Sequence, residues 1–280
     1  MTQPPSPLDK AAAKAKYGPW AVIAGASDGT GEGFARELAA MGINLVLSSR
    51  RRQVLEALGA ELASAHGIEY RVHVQDLMVP GAGQAILDAA ADLDVGLYVS
   101  NAGADAVGRG FLDEEVERWH CMVTMNVTNV VETCYGFGRK MLARGNGGGL
   151  LIMSSGSAMG GIPFLSMYSS TKAFESNFCE GLWGELKPHG IDVLCVLAPL
   201  MDTPCFRRNT EGTGFLMDAT AAFDPFDVSR DALGWLPHGP LLMYPNLVGG
   251  EDMRPEMAER RARVEGSMAL GNSFNEPAAT

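Results

Sequence analysis

The chain has 280 residues, of which 46% are hydrophobic, and 33 acidic against 22 basic residues give a formal net charge of −11. This charge argues against general binding to nucleic acid or to anionic membranes, although nucleotide phosphates can still be held locally. The hydrophobic content suffices for a substantial core, and no apolar run reaches the roughly 18 residues that a membrane span needs.

Cysteine and histidine usage argues against disulfides and metal. The cysteines are odd in number and form no Cys-x-x-Cys pair, which favours reduced thiols over a disulfide framework or a zinc site. The histidines show no metal-ligand spacing, and the proline-rich amino terminus lacks the apolar segment of a signal peptide. We therefore expect a cytoplasmic enzyme without a bound metal. The cysteines are Cys121, Cys134, Cys179, Cys195 and Cys205.

The predicted elements begin after a mobile arm at residues 1–17, which is rich in proline and then in lysine and alanine. Trp20–Ala24 is predicted as a buried strand, and Leu45 to Leu47 as a second one. Helical spacing marks the segments between and after them, at Phe34, Leu38 and Met41 and then at Val54, Leu55, Leu58 and Leu62. Further apolar strands are predicted at 95–99, 149–153 and 191–197.

Apolar strands separated by helical segments are typical of a parallel sheet covered by helices on both faces. No linker divides the pattern, so we predict one doubly wound α/β domain over residues 18–250, followed by a helical tail over 251–280. A dinucleotide site is expected at the carboxyl ends of its strands.

A glycine-rich turn follows the first predicted strand directly. Without Cβ atoms its backbone can turn tightly and let a pyrophosphate approach, and the helix that follows presents N–H groups to phosphates. The alternative is a tight turn without a ligand, but the strand-turn-helix context favours binding. The residues of this turn are Gly25, Ser27, Asp28, Gly29, Thr30 and Gly31.

Tyr168, Lys172 and Ser155 indicate the chemistry. Lys172 falls one helical turn after Tyr168, so both side chains share a helix face. The ammonium charge lowers a phenol pKa that is normally about 10, which suits a proton donor to a nascent alkoxide. Ser155 ends an apolar strand and is placed to hydrogen-bond the same oxygen. Alone, the Tyr-x-x-x-Lys pattern also fits a surface tyrosine above a solvated lysine.

Six motifs in chain order resemble those of the short-chain dehydrogenase/reductase superfamily, over residues 18–205. This resemblance implies a Rossmann fold that binds a nicotinamide dinucleotide. The opening segment from Tyr17 is also similar to members that act on long-chain 3-ketoacyl groups and on steroid hydroxyls. The motifs are Gly25-x-x-x-Gly29-x-Gly31, Asp76-Leu77, Asn101-Ala102-Gly103, Asn126, the group Ser155, Tyr168 and Lys172, and Pro199 with Thr203.

The resemblance implies a role for each member of a catalytic tetrad. Ser155 and Tyr168 would hold the substrate oxygen, and Tyr168 would supply the proton. Lys172 would hold the nicotinamide ribose and lower the tyrosine pKa, while Asn126 would steady a water that links Lys172 to solvent. Ser154 competes with Ser155, but only Ser155 has the family spacing to Tyr168.

The other motifs are implied to bind the cofactor. Asp76 and Leu77 match the adenine-contacting pair, and the turn Asn101, Ala102, Gly103 follows the fourth strand. Pro199 and Thr203 match the segment under the nicotinamide. Three departures from the family pattern stand out: Ala24 in place of a threonine, Thr30 in place of an aliphatic residue, and a Pro199-to-Thr203 segment that is one residue short and lacks its glycine.

The cofactor preference is predicted from charge. An enzyme that prefers NAD has an acid after the second strand for the ribose 2′-hydroxyl, whereas this chain has Ser49, Arg50 and Arg51. An arginine can clamp a 2′-phosphate, so we predict NADP(H), with Arg50 as the main determinant. Asp28, where many relatives carry a second basic residue, weakens this case, and the arginines could instead solvate a helix start.

The substrate is predicted to be an apolar, fairly bulky ketone or secondary alcohol. A glycine-bearing apolar segment at about 203–226 is expected to form a substrate lid, with core packing as the alternative for each single residue. The apolar residues of these segments are Met159, Phe164, Leu165, Met167, Phe206, Phe215, Leu216, Met217, Phe223 and Phe226, with Gly212 and Gly214 between them.

Three functions are compatible with these observations. The first is an NADP-dependent carbonyl reductase or alcohol dehydrogenase; the second is a lyase or isomerase on the same fold; the third is a non-catalytic dinucleotide-binding regulator. The intact tetrad argues against the third. A homodimer or homotetramer is also expected, because two helices resemble the subunit-pairing helices of the superfamily and offer Val130, Val131, Tyr135, Phe174, Phe178 and Trp183.

Overall fold

The computed structural model describes residues 8–103, 108–211, 222–244 and 254–273. Their centre is a sheet of seven parallel strands in the order β3-β2-β1-β4-β5-β6-β7. The strands are β1 (Trp20–Ala24), β2 (Asn44–Ser49), β3 (Tyr70–Val74), β4 (Val95–Ser100), β5 (Gly148–Met153), β6 (Ile191–Leu197) and β7 (Leu241–Met243).

Helices connect successive strands and cover the sheet. No helix in the described ranges is long and apolar enough to cross a bilayer. The helices are α1 (Lys10–Tyr17), α2 (Gly29–Ala40), α3 (Arg52–His66), α4 (Ala82–Ala89), α5 (Val116–Val123), α6 (Asn129–Arg144), α7 (Ser166–Leu186), α8 (Pro204–Thr210), α9 (Pro225–Trp235) and α10 (Arg254–Ser273).

This topology confirms the predicted doubly wound sheet. The chain runs outward from β1 to β3 and then returns to the other side of β1 with β4, so the direction of winding reverses between β1 and β4. Ligands of open α/β sheets bind at such a reversal, beyond the carboxyl ends of the strands. The fold therefore places the glycine-rich turn and the Asn101 turn side by side.

The burial of the strands explains which of them the sequence revealed. Every residue of β4 and β5 is buried, and strands buried on both faces read as continuous apolar runs. Strand β3 is a half-exposed edge that contains Arg71 and His73, and β7 has only three residues. Patterning did not identify these two edge strands, because neither offers a long apolar run.

The amino-terminal segment corrects the prediction of a mobile arm over residues 1–17. From Lys10 onward the chain forms α1, whose start is capped by the side chain of Asp9. Tyr17 is 2% exposed, and its hydroxyl donates a 2.5 Å hydrogen bond to the carboxylate of Asp192 on β6. This contact is long-range, so the lysine- and alanine-rich composition could not indicate it. Residues 1–7 lie outside the described ranges.

Helix α10 lies within the predicted carboxyl-terminal tail and packs on α7. Arg260 donates to Glu180 at 2.5 Å and to Ser176 at 3.1 Å. Two cations lie close to the indole ring of Trp183, Lys187 Nζ at 4.2 Å and the Arg261 guanidinium carbon at 5.1 Å from its centre, and Trp183 is only 3% exposed. Helix α10 therefore covers part of the α7 face that was predicted to contact a partner subunit.

Candidate active site

A cleft of about 810 Å³ opens at the carboxyl ends of the strands. It extends from the turn after β1, past the ends of β4 and β5, to the segment after β6. Of the predicted site residues, Gly31 and Asn126 lie outside its lining. The predicted residues that line it are Gly25, Ser27, Asp28, Gly29, Thr30, Ser49, Arg50, Arg51, Asp76, Leu77, Asn101, Ala102, Gly103, Ser155, Tyr168, Lys172, Pro199 and Thr203.

The glycine-rich turn passes so close to its neighbours that side chains are excluded. Gly25 has φ +92°, and a Cβ there would lie 2.7 Å from the backbone nitrogen of Ala102. A Cβ on Gly31 would lie 2.0 Å from the carbonyl oxygen of Gly25. The turn thus leaves a bare backbone cradle in front of the amino terminus of α2, which fits a dinucleotide pyrophosphate.

Asn101 and Thr30 tie this cradle to the turn after β4. Thr30 Oγ1 donates to Asn101 Oδ1 at 2.6 Å, and Asn101 Nδ2 donates to the Gly25 carbonyl at 2.9 Å. The N–H groups of Asn101 and Ala102 both donate to the Ala24 carbonyl. Thr30, a departure from the family pattern, therefore supplies a bond that an aliphatic residue could not make.

The turn after β3 is held by its own side chains and by α6. Asp76 Oδ1 accepts a 3.0 Å hydrogen bond from the Met78 N–H. The carbonyl of Leu77 accepts a 2.7 Å hydrogen bond from the buried amide of Asn129. These bonds fix the position of Asp76 and Leu77 at the cleft wall, where an adenine is expected.

An acid and two arginines meet at the mouth of the cleft. Asp28 Oδ2 accepts from Arg51 Nη2 at 2.6 Å and from Arg208 Nη2 at 2.7 Å. Arg51 also donates to the Ser27 hydroxyl and carbonyl, at 2.8 and 2.9 Å. Arg50 is exposed and lines the cleft. The charge of Asp28 is thus offset by cations on both sides, one of them from α8.

Ser155 and Ser154 have different environments. Ser155 lines the cleft, and its hydroxyl accepts a 3.2 Å hydrogen bond from the Ser157 N–H. Ser154 is 5% exposed, and its hydroxyl donates to the Lys172 carbonyl at 2.9 Å. Ser154 is therefore occupied in holding α7 against the end of β5, which leaves Ser155 as the better candidate to bind a substrate oxygen.

Tyr168 and Lys172 lie on one face of α7, as their spacing predicts. Lys172 Nζ is 5.9 Å from the centre of the Tyr168 ring, and the side chain of Lys172 is 2% exposed. Its ammonium donates to the Met153 carbonyl at 2.9 Å and to both oxygens of Glu175, at 3.0 and 2.9 Å. Burial is the largest single influence on Lys172 and lowers its pKa, but the charge and hydrogen bonds of Glu175, together with Tyr168, raise that pKa by more, so the net direction is upward.

Asn126 lies behind the cleft wall, in a π-helical turn (Thr124–Thr128) that joins α5 to α6. Such turns are frequent at functional sites. Asn126 is fully buried, and its amide donates to Thr171 Oγ1 at 3.0 Å. Its Oδ1 is buried and finds no hydrogen-bond partner among the described residues. A buried acceptor of this kind fits the ordered water that the family resemblance implies.

Gly103 allows Asn126 and Lys172 to approach each other. A Cβ on Gly103 would lie 2.4 Å from Lys172 Nζ and 3.4 Å from Asn126 Oδ1. Any larger residue would therefore displace the ammonium. The missing side chain of Gly103 thus leaves room for Lys172 and Asn126. The backbone of the same turn also forms part of the cofactor cradle.

The shortened segment after β6 is anchored despite its missing glycine. Met201 forms a parallel bridge with Phe223, whose N–H donates to the Leu200 carbonyl at 2.9 Å. Thr203 caps α8 by accepting from the Phe206 N–H at 3.1 Å. Of the predicted lid at about 203–226, residues 212–221 lie outside the described ranges. These include Gly212, Gly214, Phe215, Leu216 and Met217.

Opposite this segment, a strained residue lines the cleft. Phe164 has φ +64° and is 66% exposed, and its carbonyl accepts a 2.9 Å hydrogen bond from the Arg109 N–H. A left-handed backbone in a bulky residue costs about 1–3 kcal/mol and often marks a functional loop. Phe164 therefore presents an apolar ring at the substrate end of the cleft.

Sequence reasoning missed Glu175 and Arg208. Glu175 stands one helical turn after Lys172, and this spacing was available as a signal, but an acid on a helix normally indicates a solvated face. Arg208 lies 180 residues from Asp28, so only the fold brings the two together. Among the described residues no group of three or more His, Cys, Asp or Glu could hold a metal ion.

A parallel, doubly wound sheet with a bare glycine cradle and a Tyr/Lys pair in one cleft defines a dinucleotide-dependent oxidoreductase. The chain belongs to the short chain dehydrogenase family, whose model matches residues 19–214. It is thus an NAD(P)-dependent dehydrogenase or reductase.

Many known proteins are similar to this chain, among them the following three. The very-long-chain 3-oxoacyl-CoA reductase of Podospora anserina is 37% identical over 194 residues, 67% of this chain and 56% of the relative. The 7beta-hydroxysteroid dehydrogenase of Mediterraneibacter gnavus is 30% identical over 197 residues, 70% of this chain and 74% of the relative. The short-chain dehydrogenase from Sphingobium yanoikuyae in complex with NADPH has a TM-score of 0.75 and 25% identity, covering 94% of this chain and 98% of that one. The match thus spans little more than half of the first relative.

Proposed function

We propose that this protein is an NADP(H)-preferring reductase that interconverts an apolar, fairly bulky ketone and its secondary alcohol. The observation that carries the proposal is the continuity of the cleft. The glycine cradle, Ser155 and Tyr168 line one cavity, so a dinucleotide held by the cradle would share the cleft with the two hydroxyls. When bound, the nicotinamide supplies or accepts the hydride.

The chain's own residues bind the reacting oxygen and move its proton. Ser155 and Tyr168 donate hydrogen bonds to the carbonyl oxygen, whose negative charge grows in the transition state. Tyr168 gives its proton to the nascent alkoxide. The buried ammonium of Lys172 stabilises the phenolate that remains, and the water expected at Asn126 Oδ1 would link Lys172 to solvent, so that a new proton replaces the one that leaves with the alcohol.

The substrate class is proposed from the lining and from the relatives. Apolar side chains surround the substrate end of the cleft, among them Phe164, Leu165, Leu200, Met201 and Phe206. Two similar proteins act, by name, on 3-oxoacyl-CoA and on hydroxysteroids, and both groups carry large apolar portions. An apolar wall of this size favours a bulky ketone over a sugar.

A reduction assay tests the proposal. NADPH consumption should be followed with matched ketones: a steroid ketone, a long-chain 3-oxoacyl thioester and a ketose. We expect the steroid or the thioester to be turned over with a higher kcat/KM than the ketose. Preference for the ketose would contradict the substrate class, and redox-neutral conversion without net NADPH consumption would instead support the lyase or isomerase alternative.

Cofactor preference is proposed to depend mainly on Arg50. Arg51 is already bound to Ser27 and Asp28, whereas no hydrogen bond or ion pair engages Arg50 within the described part of the chain. Because Asp28 is offset by Arg51 and Arg208, it opposes a 2′-phosphate less than its charge alone suggests. An uncommitted guanidinium at the mouth of the cleft suits that phosphate.

The Arg50→Ala variant should raise the KM for NADPH by about 10- to 100-fold, since losing a charge-assisted hydrogen bond costs roughly 1.5–3 kcal/mol. The KM for NADH should barely change. Arg52→Ala is the matched control, because Arg52 pairs with Glu56 at 3.4 Å on the surface. Equal effects of Arg50→Ala on both cofactors, or a wild-type preference for NADH, would contradict the proposal and would mean that the arginines only solvate the surface.

A dimer or tetramer built on α6 and α7 remains our proposal for assembly. On α6, Val131 is 40% and Tyr135 65% exposed, whereas Val130 is buried. On α7, Trp183 is covered by α10, which narrows the proposed interface to Phe174, Phe178 and the α6 residues. Light scattering should give at least twice the 29.7 kDa of the chain, and a monodisperse monomer would refute the proposal. A cytoplasmic location also stays a prediction.

A further inference from the structure

Glu175 forms a buried ion pair with the proposed catalytic lysine, and the family's tetrad has no role for it. Both carboxylate oxygens contact Lys172 Nζ, at 3.0 and 2.9 Å. The two side chains are 1% and 2% exposed. A carboxylate withdrawn from water this completely is costly unless it is paired, so its position next to this particular ammonium requires an explanation.

The groups that face Glu175 come from every neighbouring element. They are Tyr98 of β4, Cys134 of α6, Ser154 after β5, and Cys179 and Lys172 of α7, while Cys195 of β6 interacts with Lys172, Cys134 and Cys179. Burial raises the pKa of Cys134 to about 12 and also raises those of Tyr98 and Cys179, so these groups stay neutral. Lys172 is therefore the cation that balances Glu175 among the described residues at neutral pH.

Lys172 in turn depends on Glu175. A lysine that is buried without a counter-ion loses its proton readily, because burial disfavours the charged form. Here the ammonium keeps its charge with three oxygens around it, two from Glu175 and one from Met153. The same three contacts fix the direction of a long, flexible side chain at 5.9 Å from the centre of the Tyr168 ring.

We propose that Glu175 is a positioning residue that keeps Lys172 charged and aimed toward Tyr168, and that it thereby sets the pH above which ketone reduction fails. The proposal rests on the proposed function for its effect on catalysis. Its effect on the ionisation of Lys172 depends only on the buried contact.

The effect of Glu175 on Lys172 has one direction. Reduction needs Lys172 with its charge, so it is lost as the pH rises through the pKa of that lysine. A nearby negative charge favours the protonated state of the lysine. Removing that charge should therefore shift the alkaline limb of the rate profile to lower pH.

The test is Glu175→Gln, which keeps the shape of the side chain and removes its charge. We expect the alkaline limb of kcat/KM for ketone reduction with NADPH to move down by about 1 to 3 pH units, the usual effect of a close charge. Glu180→Gln is the control on the same helix, because Glu180 pairs with Arg260 and not with Lys172; its limb should stay at the wild-type position. An unmoved limb in Glu175→Gln would overturn the proposal.

A second measurement does not require turnover. In Glu175→Gln the buried Lys172 has a depressed pKa, so the folded state binds fewer protons than the unfolded one at alkaline pH. Its melting temperature should lie furthest below wild type at neutral pH and approach it as the pH rises toward about 10.4, the pKa of a free lysine. A deficit that does not change with pH would overturn the proposal, even if no ketone is reduced and the proposed function fails.

If Glu175→Gln does not fold, Glu175→Asp provides the test. It keeps the charge but withdraws it by one methylene, which weakens the contact with Lys172. We expect a shift of the alkaline limb in the same direction and of smaller size. An unmoved limb in the folded aspartate variant would then overturn the proposal.

Discussion

Tyr168→Phe is expected to lose about 10²- to 10⁴-fold in turnover while retaining its fold and its affinity for NADPH, because a general acid typically contributes that much. Tyr168 lines the cleft, as Ser155 does, and its ring lies 5.9 Å from Lys172 Nζ on the same face of α7. The substitution removes one oxygen and leaves the ring, so packing should hardly change.

Three measurements make this prediction specific. Single-turnover and steady-state rates with several ketones should fall together, since the proton is lost from the chemical step. NADPH binding, followed by fluorescence, should remain within a few-fold of wild type. Tyr70→Phe is the control, because Tyr70 lies on the edge strand β3 and is 37% exposed. Near-wild-type turnover of Tyr168→Phe with every substrate would remove the tyrosine from the mechanism.

The sequence could predict the interior of this fold because that interior is apolar and continuous. Strands β1 and β6 have the predicted bounds, and β4 and β5 differ by one residue at one end. The sequence pattern did not predict edge strand β3, because Arg71 and His73 interrupt its run of apolar residues. The burial of Tyr17 was not predicted for a different reason. Its hydroxyl bonds Asp192, which is 175 residues away, and no local sequence pattern indicates that contact.

The sequence likewise predicted some parts of the candidate site and not others. Ordered motifs brought the cradle, Ser155, Tyr168 and Lys172 into one prediction, because each motif belongs to a turn or helix start that the fold places at the same edge. Pairwise electrostatics did not follow from the motifs. The bridge from Asp28 to Arg208 joins two distant segments, and Glu175 belongs to no motif, because its burial depends on how α7 packs in the fold.

Lys172→Met is expected to abolish most reduction and also to destabilise the fold by about 3–5 kcal/mol, because it leaves a buried carboxylate without its partner. The side chains of Lys172 and Glu175 are 2% and 1% exposed, so water cannot replace the lost ammonium. Even with its partner present, burial holds the pKa of Glu175 above that of a free carboxyl group. Without Lys172 that pKa rises further, and the folded state binds a proton that the unfolded state releases.

The raised pKa of Glu175 determines how the stability lost in Lys172→Met depends on pH. A carboxyl group whose folded pKa is raised destabilises the fold above that pKa, and the penalty disappears as the pH falls toward the unfolded value of about 4.3. The melting temperature of Lys172→Met should therefore lie far below wild type at neutral pH and recover in mildly acidic buffer. A deficit of equal size at both pH values would point to lost packing rather than to the stranded charge.

The double variant Lys172→Met/Glu175→Gln separates stability from catalysis. Both charges are then gone, and a buried ion pair replaced by neutral groups of similar volume often costs little. We expect its free energy of unfolding to return toward wild type at neutral pH, with a coupling energy above the roughly 0.5 kcal/mol of independent sites. Turnover should stay low, because no ammonium stabilises the Tyr168 phenolate. Recovery of turnover along with stability would mean that the charge of Lys172 serves the fold alone, and that Tyr168 works without it.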